Sequence, residues 1–71
     1  MNKVYVVTSA KPMEQEIYET VKASAKEAEK FICHNFPNAQ KNAPFGNVQS
    51  FLCKERDGNV LIMFIREETI E

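Results

Sequence analysis

Asp57-Gly58 lies between two apolar runs, Val48 to Lys54 and Val60 to Ile65, and this pattern commits the last third of the chain to a β-hairpin. Asp-Gly is a dipeptide that a type I′ turn favours, because both central residues of that turn need positive φ. With Asp57 and Gly58 as a two-residue loop, Arg56 faces Asn59. The pairs then continue as Lys54 with Leu61, Cys53 with Ile62, Leu52 with Met63 and Phe51 with Phe64. Side chains alternate across a strand, so this register predicts Phe51, Cys53, Val60, Ile62 and Phe64 on one face and Val48, Leu52, Leu61, Met63 and Ile65 on the other. Both faces of the hairpin are apolar.

Upstream, Val4 to Thr8 is β-branched and aromatic and reads as a further strand. Ser24-Ala25-Lys26-Glu27 has the S-x-x-E form of a capping box, which places a helix start at Ser24. Ala25, Ala28, Phe31 or Ile32, and Phe36 recur at helical spacing, and Pro37-Asn38 ends the helix. Residues 11–23 carry two patterns. Met13, Ile17, Val21 and Ala25 keep a four-residue spacing behind Pro12, which allows one long helix over 12–35. Ile17, Tyr18, Thr20 and Val21 are strand formers, however, and Ile17, Glu19, Val21 and Ala23 alternate as one pleated face. A capping box would be wasted inside a continuous helix, which favours a strand over about Glu16 to Ala23, paired to the first through a turn at Lys11-Pro12.

The expected architecture is α+β: a four-stranded antiparallel sheet in ββαββ order with one helix on one face. The alternative is βαββ with a single helix over 12–35. Seventy-one residues suit a single domain, since a chain this short cannot divide its core between two units. Residues 37–47 form the one long connection, with Pro44-Phe45-Gly46 inside it.

One short helix covers one face of such a sheet, and antiparallel sheets ordinarily make the other face polar. Here the second face is apolar too. Leaving four aliphatic side chains in water forgoes on the order of 6 to 12 kcal/mol of burial, comparable with the stability of a small domain. Either the 37–47 loop folds back with Phe45 as its plug, or a partner covers the face. The residues assigned to such a contact are Val48, Leu52, Leu61, Met63 and Ile65, together with Phe45 from the loop.

Chemistry-bearing motifs are sparse. Cys33-His34 and Cys53 are of types that zinc prefers, but adjacent helical residues diverge by about 100° and no four-ligand spacing is present. A Cys–His nucleophile pair lacks an orienting third group. Glu14, Glu16, Glu19, Glu27 and Glu29 interleave with Lys22, Lys26 and Lys30 as a solvated surface does. Gly46 and Gly58 are isolated, so no phosphate-cradling loop is expected. Tyr5, Tyr18, Phe51 and Phe64 on a sheet suggest base stacking or small-ligand binding, yet the net charge of −1 offers no basic groove for nucleic acid. Two cysteines without a disulfide framework point to reduced thiols and a cytoplasmic setting, and no long apolar run suggests a membrane span. The sequence therefore points to a non-enzymatic protein-interaction module without cofactor or metal, self-associating through the second sheet face.

Overall fold

In the computed structural model, which describes residues 2–70, the elements run β1 (Asn2–Ala10), β2 (Ile17–Lys22), α1 (Ala25–Asn35), β3 (Gln40–Lys41), β4 (Val48–Lys54) and β5 (Val60–Ile70). The strands form one antiparallel sheet in the order β2-β1-β5-β4-β3, with β5 at its centre. The sheet thus has five strands in ββαβββ order, which corrects the four-stranded ββαββ expectation. The added strand, β3, is two residues long and comes from the connection read as a loop. Neither Gln40 nor Lys41 is a strand former. They extend because the free edge of β4 supplies the pairing, Gln40 with Leu52 and Lys41 with Phe51.

The βαββ alternative is overturned as well, since residues 17–22 are strand and the helix begins only at Ala25. Ser24 adopts an extended backbone, and its hydroxyl accepts the Glu27 N–H at 3.1 Å, so the capping sequence starts the helix where it stands. The β1–β2 turn closes through Glu14 N–H to Lys11 O at 3.1 Å, with Pro12 second and Met13 third at φ 63°. That is a type II arrangement, in which Pro presets the first corner and the second demands a positive φ. A bulge then opposes Glu19 and Thr20 to Val7, because Thr20 pairs with Val7 while Tyr18 pairs with Thr8. The uniform alternation expected from Ile17 to Ala23 is broken there, and Tyr18 and Val21 share one face while Ile17 and Thr20 share the other.

The hairpin register also differs from the sequence expectation. Gly58 N–H bonds to Glu55 O at 3.0 Å, Glu55 N–H bonds to Asn59 O at 2.8 Å, and Gly58 has φ 87°. The loop is therefore three residues, a turn followed by a glycine bulge, and not a two-residue type I′ loop. Asn59 N–H donates to Asp57 Oδ1 at 3.0 Å and steadies it. Every pair slides by one residue: Lys54 meets Val60, Cys53 meets Leu61, Leu52 meets Ile62 and Phe51 meets Met63. A one-residue slide moves all of β5 to the opposite face relative to β4.

This correction sorts the side chains. Phe51, Cys53, Leu61, Met63 and Ile65 join Val7 beneath Ala28 and Ile32 of α1, and these residues are the buried core. Phe31, Phe36, Ala39 and Tyr5 pack around its margin. Past Ile65, β5 continues to Ile70 beside the first half of β1, with Tyr5 opposite Glu67 and Lys3 opposite Thr69. Glu67 is anchored there by the Tyr5 hydroxyl at 3.2 Å and the Lys3 ammonium at 3.4 Å, and Glu67 and Glu68 both lie within β5.

Candidate functional site: the open face of the sheet

Cross-strand partners point to the same side of a sheet, so the register defines the face away from α1 row by row. One row is Ala10, Ile62, Leu52 and Gln40; the next is Tyr18, Thr8, Phe64 and Ser50. A third is Val21, Val6, Arg66 and Val48, with Phe45 beyond Val48 across a two-residue turn. Phe64 on the central strand is the middle of the face.

Tyr18, Val21 and Leu52 are 63%, 42% and 38% exposed, and Val6, Ile62, Phe64 and Val48 are half-buried by their strand neighbours alone. The Glu16 side chain reaches over the face at Thr8, which is 8% exposed, and at Arg66. Phe45 does not serve as the plug: Phe45 and Val48 exchange N–H to O bonds of 2.9 and 3.0 Å around Gly46-Asn47, which holds Phe45 at the sheet edge, 88% exposed. Gly46 at φ 61° suits the first corner of this tight hairpin turn. The three rows span roughly 20 Å by 20 Å from strand spacing and rise, on the order of 400 Å² in projection. Of the twelve side chains in this area four, Gln40, Thr8, Ser50 and Arg66, are polar, so its apolar part is smaller and is interrupted by them.

The same face carries Glu68 opposite Val4 and Lys54 opposite Val60 beyond these rows, and Arg66 and Glu16 among them. Arg66 Nη2 lies 3.8 Å from Glu16 Oε1, and Thr8 donates its hydroxyl to the same oxygen. The Glu16 carboxylate thereby satisfies a buried threonine and neutralises the one arginine among the apolar rows.

Of the residues assigned to a contact from the sequence, Val48, Leu52 and Phe45 lie on this face or at its rim. Leu61, Met63 and Ile65 are 5%, 2% and 5% exposed, inside the core beneath α1. The two-residue loop assumed in the sequence reading put these three on the wrong side. In their place stand Ile62 and Phe64, with Val6, Val21 and Tyr18 from the first hairpin. Val6, Thr8 and Ala10 alternate in the sequence, which is the signal for the β1 contribution; the β2 contribution is masked by the bulge.

The aromatics expected together are separated. Tyr18 and Phe64 share the open face, whereas Phe51 is buried and Tyr5 faces the helix side, bonded to Glu67. Cys33 and His34 are exposed on α1, while Cys53 is buried beneath it, and both thiols are free. Burial pushes the Cys53 thiol above its usual pKa; a hydrogen bond with the Met63 backbone acts against this, and Cys33 adds to it slightly. Cys53 is thus a packed hydrophobe with a protonated thiol. Iodoacetamide at neutral pH is expected to add once, at Cys33, and a second time only in denaturant; mass spectrometry showing two adducts on the native protein would contradict this placement. Because the unfolded chain ionises this thiol more readily, its contribution to folding stability is complete at neutral pH and falls as pH rises through the ordinary thiol range and beyond.

Among the described residues no group of three His, Cys, Asp or Glu side chains is arranged to hold a metal ion, and no helix is long and apolar enough to cross a membrane. No protein-family model, no curated protein and no solved structure matches this chain.

Proposed function

We propose that this chain is a non-enzymatic protein-interaction module that self-associates by packing the open face of its sheet against the same face of a second copy. The observation that carries the reading is the set of apolar side chains on the face away from α1, Tyr18, Val21 and Leu52 exposed and Val6, Ile62 and Phe64 half-buried. Covering even four such side chains recovers on the order of 6 kcal/mol, enough to favour association once the entropic cost of docking is met.

A second copy fits this face better than a charged partner does. The only cation in the apolar rows, Arg66, is already matched by Glu16, and a net charge of −1 leaves little repulsion between copies. Sheet-on-sheet packing interdigitates two such faces at about 10 Å. Growth by edge pairing is less suited: β2 is bulged at Glu19, and β3 is two residues long. Two free thiols suit a reducing, cytoplasmic setting.

Sedimentation velocity across the micromolar range is expected to show a species of twice the 8.2 kDa chain mass, growing in with concentration. A single 8.2 kDa species throughout that range would remove the reading. Base stacking is the second reading, and it is left with two aromatics on the face, Tyr18 and Phe64. An oligonucleotide titration at low salt that shifts the Tyr18 signal, with no dimer in sedimentation, would put it first.

A further inference from the structure

Two charged side chains stand at opposite ends of the open face, and neither belongs to an ion pair among the described residues. Lys54, opposite Val60, is exposed at the hairpin-loop end; Glu68, opposite Val4, is exposed toward the far end of β5. Val60 and Glu68 are each four residues from Phe64 along the central strand, about 14 Å to either side. The face is thus basic at one end, acidic at the other and apolar at Phe64 between them. We infer that two copies pack with their β5 strands antiparallel and the two-fold axis crossing β5 at Phe64, so that Lys54 of each chain meets Glu68 of the other. This rests on the self-association proposed above and assigns its geometry.

A symmetric dimer of two stacked sheets has its two-fold axis in the plane between them, and two directions of that axis keep the strands of the copies aligned. With the axis along β5, each end of the face lies over the same end of the partner. Lys54 then approaches Lys54, Arg66 lies over Arg66 and Glu68 over Glu68, three contacts between like charges. With the axis across β5, the basic end of one copy covers the acidic end of the other. The sheets lie about 10 Å apart, a gap that these two long side chains bridge from the wet rim. Arg66 also leaves its counterpart. It is two residues past Phe64 and falls over Ile62 of the other copy, where its aliphatic stem covers an apolar side chain while its guanidinium stays with Glu16.

The test is zero-length carbodiimide coupling of the full chain, at a concentration where sedimentation shows the dimer, followed by peptide mass spectrometry. An amide bond between the Lys54 ammonium nitrogen and the Glu68 carboxyl is expected in the species of twice the chain mass. Within one chain the two residues are about 27 Å apart, so this bond reports the contact between copies. Lys54→Glu and Glu68→Lys, each alone, turn two attractions into two repulsions and are expected to weaken the dimer several-fold at low salt, less at high salt. The double variant is expected to regain the parent affinity. With the axis along β5, each single variant only replaces one like-charge contact by another. A dimer that gives no Lys54–Glu68 bond, or whose affinity is unchanged in both single variants, would overturn the orientation and leave self-association standing. A chain that stays monomeric would overturn both.

Discussion

Phe51→Ala is expected to lower folding stability by about 3 to 5 kcal/mol, which for a domain of this size is most of what it has. Phe51 is 1% exposed, sits opposite Met63 and packs under Ile32, so truncation opens a cavity where strand and helix meet. Leu52, the next residue, points to the open face and is 38% exposed. At concentrations too dilute for association, Leu52→Ala is expected to cost about 1 kcal/mol or less. Urea titrations followed by circular dichroism compare the two. Equal losses would mean that the hairpin register, and with it the whole assignment of faces, is mistaken.

The second large effect is on association. Ile62→Glu combined with Phe64→Glu places two carboxylates at the middle of the open face, next to Leu52 and Thr8. Each removed side chain forgoes roughly 1.5 to 3 kcal/mol of burial against a partner, and the pair occurs in both copies, so dimerisation weakens by about 10,000-fold or more, before any carboxylate desolvation is added. The expected result in sedimentation is a chain that stays at 8.2 kDa where the parent dimerises. Glutamate is a poor residue for a central strand, and the Ile62→Thr, Phe64→Thr pair removes the same apolar surface while keeping a β-branched strand former. A folded Thr pair that still dimerises as tightly as the parent would show that this face is not the contact.

Met63 and Ile62 illustrate what could be read in advance and what could not. That both are strand residues, with opposite side-chain directions, follows from the alternation around Asp57-Gly58. Which of them faces α1 depends on whether the turn holds two residues or three. Asp-Gly serves a type I′ turn, but the same glycine suits the bulge position of a three-residue loop, and the dipeptide alone does not choose. The sheet resolves it: only the longer loop puts Leu61, Met63 and Ile65 on the same side as Phe51 and Cys53, so that one helix covers all five. An apolar second face was legible, but which β5 residues stand on it turned on that single residue.

Local chemistry determined the elements that local chemistry controls. Ser24 starts the helix, Pro37 follows its end, Lys11-Pro12 turns the first hairpin, and β-branched runs make strands of Val4 to Thr8 and Ile17 to Val21. These depend on backbone dihedral preferences and on hydrogen bonds within a few residues, which a short stretch of sequence carries in full. Only the tertiary structure decided the rest: the one-residue register, the bulge at Glu19, and the pairing that draws Gln40-Lys41 into a fifth strand. Each of these depends on hydrogen bonds and burial between residues distant in the chain, where several registers satisfy the local rules and only the packed core distinguishes them.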